Sequence, residues 1–346
     1  MSVRVEVSTV AEQFAAVVER SRMQVAISAL RAEGVYDDDR TVYDCGAGTV
    51  AIPVTAPPAE TTVLEVAVDE RPSPPETLTG LLRERGWTAA ELDRVPESWG
   101  VVGDIALVAV ADCPRPADVG EALLALVGGV DTVFAGDSIA GTNREPSVEL
   151  LAGDGDTETV HREHGTVYAL DLAEVVFTPD AGVERARMGD LAAGERVLDT
   201  SAGVGQFTLP MARAGATVTA VERDPAVFAY LVENVVRNGV TDSVESYRAD
   251  WRDVLAGLPA ETSFDRVVVD HRGSHEHLAD ALGVLAPGGT VHVHTTVPGA
   301  AFPERPSRRV REAVATAGRT VDTLDVRQVD TDGDGVVYAV VDGTLG

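Results

Sequence analysis

Apolar and polar positions change rhythm near residue 184 of this 346-residue chain. From there, short apolar runs alternate with stretches of helical period. The pattern predicts strands near 196–199, 217–221, 244–248, 265–270 and 290–294, with helices near 207–214, 226–237, 275–285 and 307–317. Two more strands, near 321–328 and 336–342, flank the turn-rich Asp330-Thr331-Asp332-Gly333-Asp334-Gly335. Upstream the rhythm is mixed. Residues 11–33 carry apolar positions at helical spacing, and 41–54 read as a short hairpin ending in Ile52-Pro53-Val54. Pro57-Pro58 and Pro72-Ser73-Pro74-Pro75 mark a boundary. Strands are expected at 101–107, 132–134 and 167–177, with a helix near 118–127. Three domains follow: a small α+β domain at 1–70, a middle α+β domain at 76–183, and an α/β sheet domain at 184–346.

The chemistry concentrates where the alternating region begins. Val197-Leu198-Asp199 reads as a buried strand, Thr200-Ser201-Ala202-Gly203-Val204-Gly205 as a glycine turn opening a helix, and Glu222 as an acid at the tip of the next strand. That order is the first βαβ unit of a nucleotide-binding sheet. Gly203 and Gly205 let the backbone pass close under a ligand, and Glu222 is placed to accept from a ribose diol. A pyrophosphate site would want a third glycine, but Thr208 occupies that position. Asp199 would repel phosphate and suits a cation with a free amine. The turn therefore favours S-adenosylmethionine (SAM) over a dinucleotide. A closing antiparallel hairpin after five parallel strands agrees with a Rossmann-like class I SAM-dependent methyltransferase sheet.

Composition changes the picture in two ways. There are 56 acidic and 28 basic residues, a net charge of −28, and every base is arginine. A surface rich in acids and free of lysine fits a salt-saturated cytoplasm, where a Debye length of ~3 Å at molar salt screens the repulsion. An RNA partner is therefore not excluded by charge. Cys45 and Cys113 give neither a disulfide framework nor metal-ligand spacing. No apolar run reaches ~18 residues and the N-terminus lacks an apolar signal core, so a cytosolic protein, taken as a monomer, is expected.

Further candidates lie at strand ends. Asp250-Trp251 follows the third predicted strand, where an acid and an indole could grip adenine or simply cap and pack a helix. Asp270-His271-Arg272 ends the fourth, nearest the group being transferred. Glu184 lies between arginines in Glu184-Arg185-Ala186-Arg187, as a general base or an ion-paired helix start. His292 and His294 share a strand face and read as polar pocket lining, with no metal site expected. Arg305, Arg308, Arg309 and Arg311 could hold phosphates or form a solvated face. The Asp330–Gly335 turn lacks the closing glutamate of a calcium loop.

In order along the chain, Pro96-Glu97-Ser98-Trp99, Gly141-Thr142-Asn143-Arg144, Thr157 to Gly165, Phe177-Thr178-Pro179 and Asp199 to Phe207 resemble the archaeal enzymes that modify the purine at tRNA position 37. These are the guanosine N1-methyltransferases and the wybutosine-pathway aminocarboxypropyltransferases. The methyltransferases carry Asn-Leu-Pro where this chain has Asp270-His271-Arg272. Gln206-Phe207-Thr208-Leu209-Pro210 and His292 to Pro298 are more similar to the aminocarboxypropyl branch. The resemblance implies transfer of the 3-amino-3-carboxypropyl group of SAM to the 4-demethylwyosine base of tRNA(Phe), with N1-methylation of guanosine 37 and a non-catalytic paralogue as alternatives. It implies that Thr178, Arg185, Glu222, Asp250 and Trp251 hold SAM beside Asp199, Ser201, Gly203 and Gly205. It matches Glu184 to the methyltransferase base, Arg144 to an arginine near the target base, and the middle domain to the anticodon stem-loop.

Overall fold

A computed structural model describes residues 14–37, 40, 42–46, 48–68, 77–136, 148–270, 277–331 and 335–346. The chain divides into two compact units, 1–88 and 89–346. In the first, β1 (Phe14–Glu19) precedes α1 (Met23–Glu33), followed by β2 (Tyr43–Gly46), β3 (Thr49–Val54), β4 (Glu65–Val68) and α2 (Leu78–Glu84). Its sheet runs β2-β3-β1-β4. The helical period expected over 11–33 is corrected here, because 14–19 is a strand. Ala15, Ala16 and Val18 are buried, and β1 pairs antiparallel with β3 and β4 on its two sides, so tertiary pairing overrides the local period.

The second unit begins with α3 (Ala89–Leu92), β5 (Gly100–Val102), β6 (Ile105–Val108), α4 (Pro116–Leu126), β7 (Thr132–Ala135) and β8 (Glu149–Gly153). The strand expected over 101–107 is a hairpin instead, because Gly103 turns it with φ +60°. β5 to β8 form a four-stranded sheet in chain order. β9 (Glu158–Glu163) and β10 (Thr166–Asp171) form a separate hairpin.

Then follow α5 (Gly182–Leu191), β11 (Arg196–Asp199), α6 (Thr208–Arg213), β12 (Thr217–Val221), α7 (Pro225–Arg237), β13 (Val244–Tyr247) and α8 (Trp251–Gly257). The chain finishes with β14 (Phe264–Val269), α9 (Leu278–Leu282), β15 (Leu285–Pro298), α10 (Glu304–Thr316), β16 (Val321–Thr331) and β17 (Val336–Leu345). β11 to β17 build a seven-stranded sheet in the order β13-β12-β11-β14-β15-β17-β16. The first five are parallel, and β17 and β16 close the edge antiparallel.

Alternation along each strand feeds two cores. Val197 and Val268 join the layer of α5, α6 and β10, with Met188, Leu209 and Tyr168. Leu198 and Val267 join the layer of α8 to α10, with Trp251, Leu282 and Val310. The first core reaches the β9–β10 hairpin through α7. Asn234 accepts from the Ala169 amide at 2.7 Å and donates to the Ala169 carbonyl at 2.9 Å. Asn238 makes the same pair of contacts with Val167. Two carboxamides thereby satisfy backbone groups of β10 that no strand covers.

Candidate SAM-binding and transfer site

The carboxyl ends of the parallel strands form one edge, and the register aligns the site residues along it. Asp199 pairs with Val268 and Ala220, and Val268 pairs with His292. Just beyond the strand ends come Glu222 after β12, Ser201 after β11 and Asp270 after β14, with His294 inside β15; Glu222 and Asp270 act electrostatically on Asp199, and Asp270 on His294. This edge holds two carboxylates, a hydroxyl and an imidazole, with a third carboxylate, Asp199, two positions before Ser201.

The glycine turn is held from both sides. The Thr200 amide and hydroxyl both donate to the Val268 carbonyl, at 3.1 and 3.0 Å. The Ala202 amide donates to Val221 at 2.9 Å. Gly203 sits at φ +56° and Gly205 at φ +97°, where a Cβ would meet Leu209 Cγ at 2.8 Å. Close packing of the turn onto α6 thus requires glycine at 205. Glu222 accepts from the Gly203 amide at 3.1 Å and from the Asp224 amide at 2.8 Å, so its carboxylate ties the turn to the start of α7. A carboxylate has ~4 lone-pair sites, which leaves capacity for a diol.

Asp199 is fully buried. Its Oδ2 accepts from Thr208 Oγ1 at 2.7 Å, whereas Oδ1 has no partner. Burial, against the Thr208 hydrogen bond, pushes its carboxyl up to about 7. Ser201 Oγ is likewise buried and unpartnered. Unsatisfied buried polar atoms are rare in folded proteins, and two at one turn fit a site that a ligand completes. The acids of this edge suit a sulfonium and an ammonium.

Asp250 caps α8 through the Arg252 amide at 2.9 Å and takes the Arg252 guanidinium on both oxygens, at 2.8 and 2.6 Å. Those hydrogen bonds hold its carboxyl well below the usual range. Trp251 is 7% exposed and packs under the sheet. For these two side chains the cap and core contacts are what the structure displays.

Arg185 is 1% exposed and faces inward. It donates to Glu163 through Nε and, at 2.9 Å, through Nη2. It also reaches the Thr178 carbonyl at 2.8 Å and Gln206 Oε1 at 3.2 Å, with its guanidinium 4.4 Å from the Phe177 ring centroid. It thereby joins the β9–β10 hairpin, the Thr178 segment and the end of the glycine turn. Burial works against the charge of Glu163, but hydrogen bonds from His161 and Arg185 outweigh it and hold the carboxyl at about 2.

Glu184, 3% exposed, accepts from Arg187 at 2.9 and 2.6 Å and from Arg327 of β16 at 3.0 and 3.3 Å. Both arginines also bind Asp342 of β17, which contacts His292 Nδ1 at 2.5 Å. His292 meets Arg266 on its other side. Burial opposes the charge of Glu184, but the two arginines dominate and lower its pKa. Of the two roles that the sequence left open, the geometry displays the ion-paired helix start. Arg327 and Asp342 went unnoticed in the sequence, where a mid-strand charge signals a buried partner without naming it.

Arg144, His271, Arg272 and His275 lie outside the described residues. In the arginine run of α10, Arg308 lies 3.6 Å from Glu312. Among the described residues no His, Cys, Asp and Glu cluster could hold a metal. No helix among them is long and apolar enough to cross a membrane.

Comparison with known proteins matches the residues of this site to one family. Residues 159–322 match the TRM5/TYW2 methyltransferase domain and residues 78–157 the TYW2 N-terminal domain. The tRNA(Phe) (4-demethylwyosine(37)-C(7)) aminocarboxypropyltransferase of Pyrococcus horikoshii is 36% identical over 253 residues, covering 72% of this chain and 89% of the relative. The tRNA (guanine(37)-N(1))-methyltransferase Trm5b of Pyrococcus abyssi is 30% identical over 240 residues, covering 68% of this chain and 71% of the relative. Among solved structures, P. horikoshii TYW2 in complex with MeSAdo superposes with a TM-score of 0.63 at 32% identity, covering 76% of this chain and 96% of that one. Trm5b from P. abyssi gives 0.70 at 26% identity, covering 96% and 99%. By its paired domains and its relatives, the chain belongs to the TRM5/TYW2 family of SAM-dependent tRNA transferases.

Proposed function

We propose that this chain transfers the 3-amino-3-carboxypropyl group of SAM to C7 of 4-demethylwyosine at position 37 of tRNA(Phe). The observation that carries this reading is the succession of a TYW2-type N-terminal domain and the shared transferase domain, in a chain 36% identical to an enzyme named for that reaction. SAM supplies a sulfonium that activates the γ-carbon of its amino-acid tail. The protein's part is orientation. Glu222 would accept from the ribose, Gly203 and Gly205 would let the backbone lie under the nucleoside, and Asp199 and Ser201 would meet the tail. Asp250 and Trp251 would border the adenine. Arg185 and Thr178 would fix the wall behind. Holding the γ-carbon rather than the methyl toward the acceptor is a proximity effect, which can supply ~7–11 kcal/mol of a barrier. Residues 76–183, with Arg144, would grip the anticodon stem-loop of a cytosolic, monomeric enzyme.

Glu184 gives this reading a further support. A carboxylate clasped by two arginines and held in its charged form is a poor proton acceptor, as removing a proton from guanine N1 would require. Two preparations of SAM test the choice, one labelled in the carboxyl carbon and one in the methyl. The purified protein, at high salt with tRNA(Phe) carrying the tricyclic precursor, is expected to transfer the carboxyl label alone. Methyl label on tRNA with unmodified guanosine 37 would establish N1-methylation instead.

A further inference from the structure

His294 on β15 is fully buried. The Tyr338 hydroxyl lies 2.9 Å from its Nδ1, and the Phe207 ring stacks on the imidazole with centroids 4.3 Å apart. Its Nε2 is buried with no hydrogen-bond partner. An unpartnered buried nitrogen is destabilising, so a packing role alone would favour an apolar ring here. Val269, the last residue of β14, pairs with Val293, so Asp270 leaves the strand end next to His294 and is the foremost charge acting on its imidazole. In-register residues of neighbouring parallel strands point to the same face, on backbones ~4.8 Å apart.

We propose that His294 is a positioning residue of the transfer site, fixing Asp270 as the acceptor of the proton that leaves the target base. The inference rests on the function proposed above. In that reaction the base carbon bonds to the γ-carbon of the donor while the γ-carbon–sulfur bond breaks, and sulfur leaves as a neutral thioether. The base carbon then gives up its hydrogen as a proton, whose bonding pair restores ring conjugation. The Asp270 carboxylate takes that proton. With the Tyr338 hydroxyl donating to Nδ1, the hydrogen sits on Nε2, which is unpartnered in the free protein and would donate to Asp270, and so aim it, once the substrates fill the site. A neutral imidazole serves as such a donor. Burial, opposed by Asp270 and Glu184, lowers the His294 pKa to about 4, with His292 and Asp342 as the other titratable neighbours.

Three variants of the full chain, assayed with SAM and precursor tRNA, test this. His294→Asn removes Nε2 while leaving a polar group for Tyr338. His294→Gln puts a donor back near Nε2. Asp270→Asn removes the acceptor. The expected result is a kcat ~10- to 100-fold lower in His294→Asn, with SAM affinity unchanged and a kinetic isotope effect from C7 deuteration larger than that of the parent. His294→Gln should recover part of the rate. Adding His294→Asn to Asp270→Asn should cost nothing further, because the histidine acts through the aspartate. Additive losses, an unchanged kcat, or a fall in SAM affinity matching the fall in rate would overturn the proposal. Should His294→Asn not fold, Tyr338→Phe keeps the ring packing and is expected to lower kcat several-fold with the same isotope signature. An unchanged kcat there would overturn the proposal equally. The parent protein is the control: if it transfers no aminocarboxypropyl group, the functional reading fails too, whereas additive variants of an active parent sink this proposal alone.

Discussion

Glu222 and Asp199 carry the sharpest expectations at the scale of single residues. Glu222 joins the glycine turn to α7, and its remaining lone pairs would serve a ribose under the proposed function. Glu222→Ala should weaken SAM binding at least ~10-fold by calorimetry, a loss of ~1.4 kcal/mol. An unchanged dissociation constant would refute the site. Asp199 gives a pH signature. Its folded pKa is raised from 3.8 to about 7, so the folded state holds the proton more tightly than the unfolded chain does. Its contribution to stability is complete below pH ~4 and is lost as pH rises through about 7. Asp199→Asn should therefore raise the melting temperature of the SAM-free protein at pH 8 more than at pH 5, while weakening SAM binding. Equal shifts at both pH values would contradict the assignment.

These two residues were legible in the sequence, because a strand, a glycine turn and a tip acid follow one another within the 26 residues from Val197 to Glu222. Glu184 and Arg185 were legible as positions but not in their contacts. The partners of Glu184 in β16 and the link from Arg187 to Asp342 lie 143 and 155 residues away in sequence. No local period encodes such pairing.

Among elements, the β9–β10 hairpin and α5 act together. Arg185 spans the hairpin's Glu163, the Thr178 carbonyl and the end of the glycine turn. Arg185→Met would leave Glu163 without its main partner. Breaking a buried pair in this way costs ~3–5 kcal/mol. The variant should melt several degrees lower and bind SAM more weakly, and a melting temperature within one degree of the parent would show that the latch is not structural. The same scale explains what the pattern of the chain hid. Residues 14–19 have a helical apolar spacing, yet they are a central strand because neighbours on both sides complete its ladder. The parallel strands were read closely, since runs such as Val267-Val268-Val269 are buried on both faces and stand out without context. Gly103 broke an expected strand at a point where only its positive φ revealed a turn.

For the whole molecule, charge is the governing property. A net charge of −28 with arginine as the only base opposes compaction at low salt. Raising salt from 0.1 to 1 M shortens the Debye length from ~10 to ~3 Å. The melting temperature and the transfer rate should both rise over that range and continue upward toward 3 M potassium chloride. A protein equally stable at 0.1 M would contradict the halophilic reading. With so few bases, counterion release should be weak, so tRNA affinity is expected to fall only slightly with salt, as recognition by shape, stacking and local arginines would require.

The reaction itself is tested most directly in the cell. Nucleosides from tRNA(Phe) of a deletion strain and its parent would be compared by mass spectrometry. The expected result is loss of the aminocarboxypropylated base with the tricyclic 4-demethylwyosine accumulating in its place. Loss of 1-methylguanosine, with plain guanosine at position 37, would contradict it and establish the methyltransferase. An unchanged nucleoside profile would contradict both.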